Sequence, residues 1–255
     1  MIYEIKQHEN IEHLFKGLKE TIIWSCLQQI MGHLYANDAE NPTSAMAILG
    51  DFCFFAGKPD KEMVAYKPEW CEQKFIIMVP PDEAWAKLIE GCYRERAKKI
   101  VRYATKKEPD VFCMDRLQKA AESLPEDYIM KMIDKSLFNY CRTTEWCKDL
   151  VAQYRDYKIY GQYGIGVMIL KDGEPVSGAS SYSGYRNGIE IEIDTKEEYR
   201  RKGLAYICGA KLILKCLERG WYPSWDAHNR ESLALAEKLG YHLDYEYPAY
   251  EIWGY

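Results

Sequence analysis

Ile189-Glu190-Ile191-Glu192-Ile193-Asp194-Thr195, followed by Arg200-Arg201-Lys202-Gly203-Leu204-Ala205, is the stretch that decides the fold of this chain. Strict apolar–acidic alternation from Ile189 to Asp194 predicts a strand with two unlike faces. From Leu204 the apolar spacing changes to that of a helix, with Leu204, Ile207, Cys208, Leu212 and Leu214 recurring on one side as far as Arg219. A basic turn therefore passes a strand directly into the start of a helix. The first backbone N–H groups of a helix lack internal partners and carry the positive end of its dipole, so they form an anion site. Gly203 lets a bulky phosphate approach the backbone, and the small Ala205 leaves room beside it. The turn reads as a pyrophosphate cradle, which implies a phosphorylated cofactor. The chain contains neither a G-x-x-x-x-G-K-[ST] loop nor a G-x-G-x-x-G after a strand.

Outward from this stretch, the C-terminal half is regular. Gly166–Leu170 predicts a strand, Lys171-Asp172-Gly173-Glu174 a tight hairpin, and Val176–Ser183 the return strand. Asn187-Gly188 marks a second hairpin leading into Ile189–Thr195, so three antiparallel strands form a meander. Gly220 stops the helix that begins at Leu204, and Pro223 prevents its restart. Trp221–Ala227 predicts a short strand. Asn229 is a good N-cap for a helix through Leu239, which Gly240 ends, and Tyr241 to Trp253 supplies one or two closing strands.

The cradle pattern R-x-x-G-x-A resembles the [Q/R]-x-x-G-x-[G/A] loop of the GNAT acyltransferase superfamily, which binds the pyrophosphate of acetyl-CoA. Asn229-x-x-Ser232-x-x-Leu235-x-x-Lys238-x-Gly240-Tyr241 resembles a second segment of that superfamily, in the right order. Glu190 to Thr195, Arg200, Gly203-Leu204-Ala205 and Pro223-x-Trp225-Asp226-Ala227-x-Asn229 are similar to the branch typified by zwittermicin A resistance acetyltransferases. These motifs lie within residues 165–245. The resemblance implies an α+β fold in which a mixed, mostly antiparallel twisted sheet carries helices on both faces. It implies acetyl-CoA as cosubstrate and N-acetylation of a primary amine on a small molecule, such as an aminopolyol antibiotic. It also implies that backbone groups near Ile193, Asp194 and Thr195 pair with the pantetheine arm. The loop Arg200, Arg201, Lys202, Gly203, Leu204 and Ala205 would take the pyrophosphate, with Asn229, Ser232 and Lys238 on the cofactor side.

We expect residues 126–255 to form this acetyltransferase domain and residues 1–125 a separate α+β domain. In the latter, Ile22–Leu34 predicts an apolar helix, Ala45–Phe55 a strand pair around Gly50-Asp51, and Phe75–Val79 a strand. Pro81–Glu95 reads as a helix, Lys99–Thr105 as a strand, and Met114–Leu124 as a helix. Tyr128–Ile133 is a strand that either completes this half or opens the next, and Leu137–Tyr157 reads as the first helices of the C-terminal domain. The order echoes the C-terminal half. Two readings stay open, a degenerate GNAT-like unit and an unrelated α+β domain. On the first, Pro80-Pro81-Asp82-Glu83 stands where the cradle should be. It lacks glycine, removes N–H donors and adds negative charge, so it should not hold a pyrophosphate.

Composition narrows the partners. The chain has 255 residues, 47% hydrophobic and 29% charged, with a formal charge of −5, which disfavours nucleic acid and suits a cationic substrate. No apolar run reaches the ~20 residues needed to cross a bilayer. The N-terminus lacks the apolar core of a signal peptide, so no membrane partner and a cytoplasmic location are expected. Nine cysteines without a C-x-x-C pair argue against a disulfide framework or a metal site.

Acetyl transfer needs an amine stripped of its proton, donors for the developing oxyanion, and an outlet for the thiolate. Glu190, Glu192 and Asp194 share one face of their strand. We take Glu192 as the first candidate base and Glu190 as the second. Many GNAT enzymes carry a tyrosine immediately after the Leu235 position as the acid; here that residue is Ala236. Tyr241, Tyr247 or Tyr250 could replace it. His228 and Asp226 read as loop residues. Two competing readings are a non-catalytic acyl-CoA-binding or sensing module and a protein or peptide N-acetyltransferase, which would need an open cleft.

Overall fold

The computed structural model describes residues 1–6 and 8–255. The chain divides into two compact units, Met1–Arg102 with Glu246–Tyr255, and Tyr103–Tyr245. The expected division at 125/126 lies between a helix and a strand of the second unit.

In the first unit the elements are β1 (Tyr3–Glu4), α1 (Thr21–Leu27), β2 (His33–Ala36), β3 (Ser44–Leu49), β4 (Phe52–Gly57), α2 (Lys61–Ala65), β5 (Phe75–Val79), α3 (Glu83–Tyr93) and the start of β6 (Ala97–Thr105). Strands β1 to β4 pair antiparallel in sequence order, and β4 then pairs parallel with β5 over Phe52–Phe54. The apolar stretch expected to be one helix to Leu34 stops early. Gln29 (φ 55°) and Gly32 (φ 80°) turn the chain, and His33 opens β2. A side chain at 32 would meet the carbonyl of Ile48 at 2.6 Å, so this turn accepts only glycine.

Past Phe54, β4 runs on to Gly57 beyond its pairing with β5. The indole of Trp85, wholly buried, stacks on Phe55 at 4.7 Å and donates to the Gly57 carbonyl at 3.0 Å. The helix that follows β4 starts at Asp60, whose carboxylate accepts from the Met63 N–H. The loop Pro80–Glu83 stands elsewhere than we expected. It opens α3, the helix after the parallel strand, with Asp82 accepting from the Ala84 and Trp85 N–H groups. Between β4 and α2 stands Lys58-Pro59-Asp60.

In the second unit, α4 (Met114–Glu122), β7 (Tyr128–Met132), α5 (Lys135–Thr143) and α6 (Tyr157–Tyr163) precede the meander β8 (Gly166–Lys171), β9 (Glu174–Tyr185) and β10 (Gly188–Thr195). Then come α7 (Leu204–Glu218), β11 (Tyr222–Ser224), β12 (Asp226–Ala227), α8 (Arg230–Leu239) and β13 (Leu243–Trp253), whose end pairs with β5 inside the first unit. The sheet order is β11-β10-β9-β8-β7. Of the two places open to Tyr128–Ile133, the observed one is the edge of this sheet, antiparallel to β8. The expected strand Trp221–Ala227 is two strands. β11 runs parallel to β10, and β12 pairs with the end of β6 at Tyr103 and Ala104.

Ile189 and Ile191 are buried, and with Ile193 they pack against α7. Each such burial contributes about 1.5–3 kcal/mol. The opposite face of β9 and β10 carries a 3-10 turn, Glu145–Leu150, whose Leu150 lies against Gly178. Tyr241, 1% exposed, donates its hydroxyl to the Pro223 carbonyl at 2.6 Å and packs edge-on to Phe112 and Trp225. Tyr241→Phe leaves that carbonyl short of a donor. We expect a loss of about 1–3 kcal/mol in denaturant melts, without change of fold.

Candidate active site

Strand β10 pairs with β9 along its whole length, from Gly188 to Thr195. Its other edge is paired only at Gly188, Ile189 and Glu190, opposite Tyr222, Pro223 and Ser224. At Trp225 the chain leaves for β12. Two bonds fix that departure: Thr105 Oγ1 donates to the Trp225 carbonyl at 2.7 Å, and the Trp225 indole donates to Ser232 Oγ at 3.2 Å. From Ile191 to Thr195 this edge of β10 therefore has no strand beside it among the described residues. A bulge between Glu190 and Ile191 marks the point of parting. A free edge of this kind pairs with any extended amide-bearing chain laid along it.

The free edge leads into the basic turn. Arg200 Nε donates back to the Thr195 carbonyl at 3.2 Å, and Arg201 and Gly203 take left-handed backbone angles (φ 59° and 83°). Helix α7 starts at Gly203 with no side-chain cap and no acidic residue in its first turn. By contrast α8 is capped by Asn229, whose side chain accepts from the Ser232 N–H at 2.8 Å. A Cβ placed on Gly203 would meet nothing within 4 Å, so open space lies before the helix start. Lys202 Nζ sits over the Tyr199 ring at 4.5 Å, and Lys238 Nζ over the Tyr206 ring at 4.2 Å. The structure thus brings Arg200, Arg201, Lys202, Gly203, Leu204, Ala205 and Lys238 together. Asn229 and Ser232 are engaged in capping α8 and holding Trp225. Uncapped N–H groups, cationic side chains and open space fit a pyrophosphate. The adjoining edge at Ile193, Asp194 and Thr195 fits an amide-containing arm.

Glu190, Glu192 and Asp194 lie on the face turned away from α7. Glu190 is 7% exposed, opposite Ser183 on β9 and Ser224 on β11. Glu192 is half-buried, opposite Ser180, whose Oγ lies 2.9 Å from the Tyr160 hydroxyl. Asp194 is half-buried, and its carboxyl is pushed up to about 7, first by burial and then by the charge of Asp149, with Arg200 opposing. Sequence reasoning missed Asp149. It stands in the 3-10 turn that packs on β10, and no motif or periodicity singles it out.

The tyrosines considered as acids are otherwise employed. Tyr241 is a core residue whose proton is given to Pro223, and burial holds its phenol well above the ordinary range. Tyr250 belongs to the first unit and donates to Glu90 at 2.6 Å. Tyr247 is buried in the same unit. Ala236 is wholly buried, and exposed His228 contacts Asn229 at 2.8 Å.

The family model described as GNAT acetyltransferase matches residues 12–250. A Bacillus subtilis (strain 168) protein named as the uncharacterized N-acetyltransferase YdfB is 28% identical over 244 residues, covering 90% of this chain and 89% of that protein. The crystal structure of a GCN5-related N-acetyltransferase-like protein from Streptococcus suis 89/1591 is 48% identical. It covers 96% of this chain and 98% of that one, with a TM-score of 0.91. A GCN5-related N-acetyltransferase from Kribbella flavida shares the fold at 14% identity, with a TM-score of 0.53 over 82% of this chain and 86% of that one. With its free strand edge, its uncapped helix start and a family match over nearly its whole length, the chain belongs to the GNAT acetyltransferase family.

Proposed function

We propose that the chain transfers the acetyl group of acetyl-CoA to a primary amine of a small molecule, by direct attack in a ternary complex. The observation that carries this reading is the free edge of β10 running into the uncapped, basic start of α7, with carboxylates beside it. Bound there, acetyl-CoA supplies the activated acyl group. The edge at Ile193, Asp194 and Thr195 would orient its arm, and the Arg200–Ala205 loop with Lys238 would anchor its phosphates. The acidic lining suits an ammonium group, in keeping with the resemblance to the aminopolyol-acetylating branch.

Burial separates the roles of the carboxylates. Glu192 and Asp194, half-buried along the free edge, would hold the incoming ammonium group. Glu190, buried where β11 parts from β10, would accept the proton, so the base assignment moves here from Glu192 to Glu190. With Ala236 in the tyrosine's usual place and Tyr241 engaged, the leaving thiolate would depart without a tyrosine donor. Its pKa near 8.5 permits that. The non-catalytic acyl-CoA-binding reading draws on the same absence and predicts binding without turnover on any amine.

Calorimetric titration should show saturable binding of acetyl-CoA and none of NADH. Gly203→Glu should abolish it, because a side chain is strained at φ 83° and a carboxylate repels phosphate at the helix start. Unchanged affinity would remove the cradle assignment. Glu190→Gln should cut kcat by roughly two orders of magnitude or more, with cofactor affinity kept. Glu192→Gln should mainly raise KM for the amine. The reverse ranking would return the base role to Glu192.

Asp194 makes stability depend on pH. Its unfolded pKa is about 3.9, below the folded value of about 7. Between these values the folded chain keeps a proton that the unfolded chain has released, so stability falls as pH rises through that window. Asp194→Asn escapes this loss. Its melting temperature should match that of the parent near pH 4 and exceed it increasingly up to about pH 7. A constant offset across that range would show that Asp194 ionises as an ordinary carboxylate.

A further inference from the structure

One carboxylate of β10 meets another that arrives from a distant part of the chain. Gly178 stands directly across the strand pair from Asp194. A Cβ on Gly178 would meet the Leu150 side chain at 2.7 Å, so the bare glycine lets the Glu145–Leu150 turn settle on this part of the sheet. Burial, and then the charge of Asp149 beside Leu150, push the Asp194 carboxyl up. Two carboxylates so placed relieve their repulsion either by keeping a proton or by taking a cation between them. The cations nearest in the chain are engaged elsewhere. Lys148 pairs with Glu145 at 2.6 Å, Lys196 with Glu198 at 3.3 Å, and Arg200 gives its Nε–H to the Thr195 carbonyl at 3.2 Å.

The other end of the same acidic row has an unmatched group of its own. Ser183 faces Glu190 across the strand pair, and residues so opposed put their side chains on one face. Both are shut off from solvent, and Ser183 Oγ has no protein partner among the described residues. A buried hydroxyl is stable only when it is hydrogen-bonded. An ammonium group carries three N–H donors and no acceptor, so one nitrogen can serve Ser183 Oγ and a Glu190 carboxylate oxygen together. Glu192 lies between the two ends of the row. Alternate residues of a strand are about 6.7 Å apart, so Glu192 stands one such repeat from Asp194 and one from Glu190.

We propose that Glu190, Glu192 and Asp194, completed by Ser183 and Asp149, bind a linear diamine, with its reacting nitrogen among Ser183, Glu190 and Glu192 and its second ammonium group between Asp194 and Asp149. The inference rests on the acetyl-transfer reading for which nitrogen reacts, and it narrows the acceptor from a primary amine to a molecule with two. Four methylenes carry two nitrogens about 6 Å apart when extended, which matches one repeat of the strand. The second ammonium group takes the place of the proton that Asp194 otherwise keeps, and no bond is made or broken at that end. Asp149 meets the acceptor away from its reacting nitrogen, so it sets specificity and takes no part in the transfer.

The test compares two amines of one chain length on the full protein, putrescine and butylamine, which differ by the second amine. With acetyl-CoA as donor, kcat/KM for putrescine should exceed that for butylamine by roughly tenfold to a hundredfold, the range set by a charged hydrogen-bonded contact. Asp149→Asn should remove most of that preference by raising KM for putrescine, with kcat kept. Asp149→Glu, which keeps the charge, should restore much of it. Equal efficiency on the two amines, or a preference that Asp149→Asn leaves intact, overturns the diamine seat while acetyl transfer stands. Failure to acetylate either amine counts against the acetyl-transfer reading, and calorimetric titration with putrescine then judges the seat. Saturable binding that weakens in Asp149→Asn upholds it, and no binding overturns it.

Discussion

The parting of β11 from β10 after Glu190 is the constraint on which the rest of the candidate site depends. A sheet interior satisfies every backbone group and leaves nothing for a ligand. One pairing ends after three residues while β9 supports the other edge throughout, so β10 is held on one side and has no strand on the other beyond Glu190 among the described residues. Trp225 and Tyr241 maintain the parting, the first through Ser232 and Thr105, the second through the Pro223 carbonyl. The isoleucines of β10 pack on α7, so the strand edge and the helix start, the two halves of the candidate site, share one core.

The first unit uses the same order of elements to the opposite end. There too a hairpin is followed by a helix, a short parallel pairing and another helix. Yet the edge of β4 beyond its parallel partner is occupied by Trp85, and the helix that follows starts on Asp60 instead of a basic glycine turn. The indole stacks on Phe55 and donates to the Gly57 carbonyl, and a carboxylate at the helix start repels phosphate.

The carboxylate face shows how burial sorts chemically identical groups. Three acidic residues at alternate positions of one strand differ in sequence only by neighbour. In the fold, one is sealed among serine and tyrosine hydroxyls, one lies along the open edge, and one is held up in pKa by burial and by a carboxylate from a turn far away in the chain. On the proposed reading, such differences let one strand offer both a proton acceptor and a cation-binding surface.

Much of this was legible in the residues. Period-2 alternation identified β10 and its acidic face. The change to helical spacing at Leu204 located α7, Asn229 and Gly240 bounded α8, and Arg200 to Ala205 marked a basic turn into a helix start, because these are local consequences of backbone geometry and charge. What tertiary structure alone decided is everything that depends on a partner distant in the chain. The stretch Trp221–Ala227 carries no local signal that it must split, since β11 answers to β10 and β12 to β6. Tyr241 looked free to donate until the fold set it against Pro223, and Asp149 had no marked pattern until its turn settled on β10. Ser183 is one serine among four in a strand, and only cross-strand register places it before Glu190. Local interactions act over a few residues and leave a periodic trace in the chain, whereas burial, register and coupled charge are properties of surfaces that exist only once the chain has closed on itself.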